Sequence, residues 1–479
     1  MSESYHRTSL LSQIARVQYN YDDRYLATAT VRRDGSSRFG EGSRWGWFPS
    51  FGLGWTISNE KFFKNWNIDD IVSFAKFRAS HGKSGSQNLS DYQWLSLVGS
   101  NQYNEEPGIY PSRMGNQGLR WEEAWMTDIA LDLEFWKSRI RTSVGYFQKK
   151  SDYLIYSMTL PTSTSFSSMS ANLAASTTKG WEFSFDIDVV KNAKWQLTYH
   201  VNAATNNTWI DKFNNSTNEY VSTYTKLAVG EKAGQWWGYQ THNRLFATAE
   251  EVIALKQFTA TGSLQGYRVT NETWGDLYYK DLNGDGKVDS TNDKAYLGSS
   301  IPKVYGGMGL QLYIGNSLNI GANFSYALGH KRLWYMACLD ASGASVDNQS
   351  NKMAGKSAVF AENSPYDPST FVAITPYGDG QNGGSYNFAD YFLYDASYIR
   401  LNTINVNYRL GKKHFGNSIV DNIEFSLQAG NLFTITGYPG FDPQGNFSAS
   451  TSLTSAMGVD NSYYPSARTF TAGVKITFR

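Results

Sequence analysis

Alternation with a period of two residues, sustained over segments of a dozen residues or more, is the feature that most limits what this chain can become. From Trp121 the odd positions read Trp121, Trp125, Thr127, Ile129, Leu131, Leu133, Phe135, and the even positions read Glu122, Ala124, Met126, Asp128, Ala130, Asp132, Glu134. Ile140, Thr142, Val144 and Tyr146 oppose Arg139, Arg141, Ser143 and Gly145; Trp181, Phe183, Phe185, Ile187 and Val189 oppose Glu182, Ser184, Asp186 and Asp188. The same holds for Leu318 to Leu328 and for Phe470, Ala472, Val474, Ile476 and Phe478 at the end of the chain. Helical spacing fits none of these; each segment is a strand with one apolar and one polar face.

About thirteen such strands are predicted, near 9–21, 24–34, 46–58, 71–86, 118–135, 138–156, 172–190, 194–210, 303–314, 318–331, 395–410, 420–435 and 465–478. Their connections alternate in length. Asp22-Asp23, 136–138, 191–193 and 315–317 are tight turns, and 59–70 and 411–419 are somewhat longer. Between them stand 35–45, 87–117, 157–171, 211–302, 332–394 and 436–464. Short turns on one rim and long loops on the other mark a transmembrane β-barrel of the outer-membrane kind. A soluble β-sandwich also alternates, but these strands are long against a usual five or six residues. Their polar face also carries charges such as Asp128, Asp132, Arg139 and Arg141, which suits a water-filled lumen.

Composition agrees. The 479 residues hold 43 Lys+Arg against 42 Asp+Glu, so the basic excess of a phosphate-neutralising nucleic-acid binder is missing. One cysteine, Cys338, excludes an intramolecular disulfide framework or a multi-Cys zinc site. Mean hydropathy is −0.46, and no run of about 18 apolar residues occurs, which rules out transmembrane helices. Alternating strands average out as polar, so a barrel is untouched by this test. Met1 to Arg7 has no apolar h-region and is not a signal peptide. An odd strand number, with the last strand running toward the short-turn rim, makes the first strand run that way too. Residues 1–479 are therefore expected to be one C-terminal portion of a larger all-β, antiparallel barrel.

Seven blocks stand out: Val31 to Phe39, Arg44-Trp-Gly-Trp-Phe-Pro-Ser-Phe-Gly-Leu-Gly-Trp55, Arg78 to Gly85, Gly275 to Asp289, Asp395-Ala-Ser-Tyr-Ile-Arg-Leu401, Gly430-Asn-Leu-Phe-Thr434 and Tyr464 to Phe470. These blocks resemble the SusC/RagA family of TonB-dependent outer-membrane transporters of Bacteroidetes. They fall in family order from near residue 16 to the end. The resemblance implies a roughly 22-stranded barrel, of which this chain is about the last 13 strands. It also implies an N-terminal plug and barrel strands not contained in this chain, a TonB-contacting segment, a periplasmic extension and a SusD-like surface lipoprotein as lid. The implied function is import of oligosaccharides, or of peptides, across the outer membrane, energised by TonB. The final alternating strand, with Phe470, Val474, Ile476 and Phe478, would be the insertion signal, although Arg479 follows where the family commonly ends on an aromatic. Two other readings stand beside this one: a soluble or surface-attached β-protein that binds or cleaves glycans, and an inactive fragment of a truncated reading frame.

Asp281-Leu-Asn-Gly-Asp-Gly-Lys-Val-Asp-Ser-Thr-Asn-Asp293 follows the first half of a calcium loop. Asp281, Asn283 and Asp285 stand at ligand positions one, three and five, Gly286 at the sharp turn, the Lys287 carbonyl at seven and Asp289 at nine. Asn292 replaces the closing bidentate Glu, with Asp293 next to it. The alternative is a loop of Asx turns held by its own hydrogen bonds. No other cofactor is expected. Aromatic clusters in the long loops (Trp236, Trp237, Tyr239, Trp274, Tyr278, Tyr279, Trp334, Tyr335, Tyr391, Phe392, Tyr394) are candidates for substrate or lid contact, Trp236, Trp237, Tyr239, Trp274, Trp334 and Tyr335 foremost. Strand-end residues Trp121, Trp181 and Trp195 fit an interfacial girdle instead. Six scattered histidines, with no HExxH or GxSxG, offer no catalytic constellation, so no enzyme activity is expected.

Overall fold

The computed structural model describes residues 7–103, 106–213, 218–245, 256–257, 277–285, 287–335, 388–416, 419–444, 458–460 and 464–478. Thirteen long strands follow one another in a single antiparallel path. They are β1 Leu10–Tyr21, β2 Tyr25–Ser36, β3 Trp45–Thr56, β4 Val72–Ser86, β5 Glu122–Phe135, β6 Ile140–Thr159, β7 Ser168–Lys191, β8 Trp195–Ala204, β9 Val304–Ile314, β10 Leu318–Leu328, β11 Tyr398–Leu410, β12 Val420–Thr436 and β13 Thr469–Phe478. Each pairs with its neighbour in sequence, so the topology is an up-and-down meander with no crossover. Among the described residues β1 pairs only with β2, and β13 only with β12. The tight turns lie where expected. Asp22 and Asp23 both have positive φ, +52° and +50°, which a two-residue hairpin turn between right-twisted strands requires.

Side-chain parity holds across the sheet. Leu131 stands between Phe77 and Val144, and Val144 in turn faces Phe183. All four are exposed despite being apolar. One residue along, Asp132 stands between Lys76 and Ser143, and Ser143 faces Ser184. One face is therefore a continuous apolar belt and the other is lined by charges, hydroxyls and amides. In water such a belt would far exceed the apolar patch a soluble monomer exposes.

The segment expected as one strand over 194–210 is interrupted. Trp195–Ala204 ends, and Asn207–Phe213 resumes against the upper part of β7 in the same register. At the break the Trp181 amide donates to Thr205 Oγ1 and the Thr205 amide to the Trp181 carbonyl. Gly180 makes room for this, since a Cβ there would sit 2.1 Å from the Thr205 carbonyl oxygen. β6 and β7 are longer than expected and carry the sheet beyond its apolar belt into an upper wall. There Leu154, Tyr156, Ala174, Ile210, Phe213, Leu227 and Ala233 pack together.

The long loops hold structure of their own. Residues Leu97–Tyr103 and Glu106–Arg113 form a hairpin within the 87–117 connection. Gln235–Tyr239 pairs with Lys294–Ser299, and Lys331–Trp334 is flanked by Leu393–Asp395 and Val459–Asp460. A short helix, Lys61–Asn65, lies within the 59–70 turn.

Candidate functional site

Two parts of the molecule carry polar chemistry: the polar wall of the sheet and the cap built by the long loops. On the wall, Arg78 of β4 grips Asp132 of β5 with two bonds, Nε to Oδ2 at 2.6 Å and Nη2 to Oδ1 at 3.1 Å. Ser143 Oγ donates to the same carboxylate at 2.7 Å. Parity places these groups together: Arg78, Ala130 and Gly145 share one cross-strand row, and Asp132 lies one pair along on the same face. A recess of about 350 Å³ opens beside them, lined by Arg78, Asp128, Ser143, Glu182, Ser184 and Asn202. Paired charges and short hydroxyls in water offer many weak hydrogen bonds and no deep apolar pocket. That suits passage of a polar solute better than tight retention.

The cap has a dry core. Trp236, Tyr239, Tyr279, Val288, Leu297, Leu333, Ala389, Phe392, Leu393 and Val459 are buried together, with Tyr335, Phe388 and Tyr391 against them. Trp236 is 0% exposed and its indole N–H donates to the Lys331 carbonyl at 3.0 Å, while Tyr239, 2% exposed, packs edge-on to Tyr279 at 5.4 Å. Both rings face protein, so neither presents a face to a ligand in this conformation. Trp237 is half-buried against Tyr296 at 5.0 Å and the Lys226 ammonium at 4.5 Å, and Trp334 packs on Tyr394 at 5.8 Å. Trp237, Trp334 and Tyr335 keep partial exposure. Trp274 and Cys338 lie outside the described residues.

Trp121 is a correction. It was expected in an interfacial girdle but is 5% exposed and packs on Phe39 and Phe48, with its indole N–H donating to the Arg44 carbonyl at 2.9 Å. Gly46 and Gly85 lack the Cβ that would strike the Phe48 ring, which lets the ring lie across the polar face and cover Trp121. Trp181 and Trp195 are exposed on the apolar face, as a girdle requires.

Sequence reasoning missed the latch that ties the cap to the wall. Arg400 of β11 donates from Nη2 to Asp442 Oδ1 at 2.6 Å, from Nη1 to Gln444 Oε1 at 2.7 Å and from Nε to Thr434 Oγ1 at 2.8 Å. Arg332 Nη1 donates to the Pro443 carbonyl at 2.6 Å, and Tyr438 Oη donates to Asp460 Oδ2 at 2.7 Å. Burial and the Asp460 carboxylate push the Tyr438 phenol well above its ordinary range, so it stays a donor. The signal was available: Arg400 belongs to the Asp395–Leu401 block and Thr434 to the Gly430–Thr434 block. Asn431 of that second block also donates to the Ala467 carbonyl, within the Tyr464–Phe470 block.

The 281–293 loop is held by Asx turns. Asp281 Oδ1 accepts from the Gly284 amide, and Asp289 Oδ1 from the Thr291 and Asn292 amides. Asn283 and Asp285 bond to each other. Asp293, fully buried, accepts from the Leu282 amide at 2.7 Å and the Asp289 amide at 2.6 Å. Among the described residues these carboxylates form no group of three or more that could hold a metal ion, and the Lys287 side chain and Gly286 lie outside what is described. Phe470, Val474, Ile476 and Phe478 share the apolar face of β13 and are all exposed.

Comparison with known proteins places this architecture. The family described as TonB dependent receptor-like, beta-barrel matches residues 2–299, more than half of the chain. TonB-dependent receptor P39 of Formosa agariphila is 26% identical over 98% of this chain and 46% of its own length. TonB-dependent receptor SusC of Bacteroides thetaiotaomicron is 29% identical over 98% of this chain and 44% of its own length. Among solved structures, that of the RagAB peptide transporter superimposes with a TM-score of 0.78 at 21% identity, over 98% of this chain and 48% of that one. The chain thus spans about half the length of the relatives it matches. The sheet of thirteen long strands, with Asn207–Phe213 as a fourteenth, is barrel wall of this family, and its apolar belt is the face such outer-membrane proteins turn to lipid. The chain belongs to the TonB dependent receptor-like, beta-barrel family.

Proposed function

We propose that this chain supplies barrel wall and outer loops to an outer-membrane importer of oligosaccharides or peptides. Plug and further strands complete the barrel, TonB energises it through the plug, and a SusD-like surface lipoprotein covers the loops. The observation that carries the reading is the separation of faces: Leu131, Val144 and Phe183 on one side, Asp132, Ser143 and Ser184 on the other, over strands long enough to cross a bilayer. Likeness to a SusC receptor and to the fold of a peptide transporter supports the solute class. Trp237, Trp334 and Tyr335 are cap aromatics that stay partly exposed and would meet solute or lid, and β13 with Phe470, Val474, Ile476 and Phe478 serves as insertion signal.

The test is uptake. Cells carrying the transporter should accumulate a labelled oligosaccharide or peptide pool only with TonB and the proton gradient intact. Extraction should require detergent. TonB-independent accumulation, or recovery of the chain in the aqueous fraction, would overturn the reading.

A further inference from the structure

The outward face carries an ordered row at the upper edge of the apolar belt. Lys83 of β4 stands opposite Trp125 of β5, Trp125 opposite Lys150 of β6, and Lys150 opposite Thr177 of β7. Thr177 stands opposite Trp209, and Trp209 is bridged to Lys232. Lysine or tryptophan thus occupies five of the six adjacent positions in this row, Thr177 of β7 being the sixth. One pair lower come Thr127, Gln148, Lys179 and Asn207, and one pair lower again Ile129, Tyr146 and Trp181. The lysine row therefore sits roughly 14 Å along the tilted strands above the Tyr146–Trp181 aromatic pair, outside the girdle and within the headgroup layer.

The charges here are unevenly answered. Lys83 is paired with Glu123 at 2.7 Å. Lys150, Lys179 and Lys232 are exposed and touch no carboxylate among the described residues. Lys179 and Lys232 lie at 5.9 and 5.3 Å from the Trp209 ring, and Lys232 also donates to Asn207 Oδ1 at 2.9 Å. Of the nearby acids, Asp211 accepts from Thr177 Oγ1, Glu123 is paired with Lys83, and Asp152 stands opposite Glu123 in the next row above on the same face. Lysine stems can lie on the tryptophans while their ammonium groups reach outward into the headgroup layer.

We propose that Lys150, Lys179 and Lys232, framed by Trp125 and Trp209, hold the phosphate of an anionic lipid headgroup in the outer leaflet. This rests on the outer-membrane reading and deepens it. The setting of the row selects the occupant: a soluble anion would need neither a tryptophan frame nor the apolar belt that begins two rows beneath, at Ile129, Tyr146 and Trp181. A bound lipid would fasten the upper wall, where β7 leaves β8 for Asn207–Phe213, at the base of the cap.

The transporter containing this chain, purified in non-ionic detergent and stripped of lipid, would be titrated with phosphatidylglycerol, phosphatidylcholine and inorganic phosphate, with bound lipid counted by native mass spectrometry. Phosphatidylglycerol should bind preferentially. The variant Lys150→Gln/Lys179→Gln/Lys232→Gln should lose on the order of a hundredfold in apparent affinity. A control variant at the opposite rim, Lys137→Gln/Lys194→Gln, should lose none. Equal phosphatidylglycerol binding by parent and triple variant, or inorganic phosphate binding as tightly as the lipid, would overturn the proposal. Failure of the parent to insert into membranes would instead overturn the barrel reading.

Discussion

Replacing Asp442 with Ala should loosen the outer cap without dismantling the barrel. Arg400 is 5% exposed and Asp442 3%, so the guanidinium would lose its carboxylate where water cannot replace it. Breaking such a pair from one side costs about 3–5 kcal/mol. Thr434 Oγ1 and Gln444 Oε1 still accept from Arg400, which argues for the lower end, near 3 kcal/mol. The Gln444 amide also loses its acceptor, Asp442 Oδ1, and with it the bend that presents the Pro443 carbonyl to Arg332. Native-state hydrogen exchange is the assay. If cap opening becomes easier by about 3 kcal/mol, amides of 331–334 and 437–444 should exchange roughly a hundredfold faster, while those of β5 to β7 stay unchanged. The double variant Arg400→Met/Asp442→Leu should exchange more slowly than Asp442→Ala alone, because no charge is left buried. Unaltered exchange in the single variant, or acceleration spread evenly over the sheet, would refute the latch.

Three further outcomes are expected. Trp236→Ala removes the largest ring of the cap core and its bond to Lys331, at a cost of about 3–5 kcal/mol; protease nicking of the long loops should rise while membrane insertion persists, and loss of insertion would contradict a cap role. Asp293→Ala strands the Leu282 and Asp289 amides, each costing about 1–3 kcal/mol. Nicking near 277–299 should then rise equally with calcium or chelator, whereas calcium-dependent protection of the parent loop would favour the metal reading. Burial, reinforced by the Arg332 guanidinium, holds His330 down at about 4, so the folded cap keeps it neutral. The unfolded imidazole takes a proton below about 6.5, so its contribution is intact above that pH and is lost as pH falls toward 4. Cap exchange, corrected for intrinsic rates, should accelerate between pH 7 and pH 5, and His330→Gln should flatten that slope; identical slopes would exclude His330.

Parity made the wall legible. A strand's two faces alternate with no tertiary help, so Ile129 and Asp132 could be assigned to opposite faces from position alone. The thirteen strands and the rim on which each loop lies followed from the same pattern. The break at Thr205 and Asn206 did not, because it depends on Gly180 in the neighbouring strand. Trp121 looked like a girdle residue because period two carries no height; only the packing of Phe39 and Phe48 reveals that it lies above the belt and faces inward. The loop aromatics were legible as a group but not one by one. A loop must bury something to hold a shape, and Trp236 and Tyr239 serve that need where Trp237 and Trp334 stay partly exposed. Arg400 was inside a recognised block, yet its partner Asp442 is 42 residues away in the loop after β12, and only tertiary contact joins them.

Lipid exposure along β5, β6 and β7 tests the central claim most directly. Nitroxide labels would be placed singly at Leu131, Val144 and Phe183, and at Asp132, Ser143 and Ser184, after Cys338→Ser, in the transporter reconstituted in bilayers. Collision with dissolved oxygen, enriched in hydrocarbon, and with a water-soluble nickel chelate would be read for each. The first set should favour oxygen and the second the chelate, the preference reversing at every step from Leu131 to Asp132, Val144 to Ser143 and Phe183 to Ser184. Equal access at both parities, or chelate access at Val144 and Phe183, would contradict a membrane-facing wall.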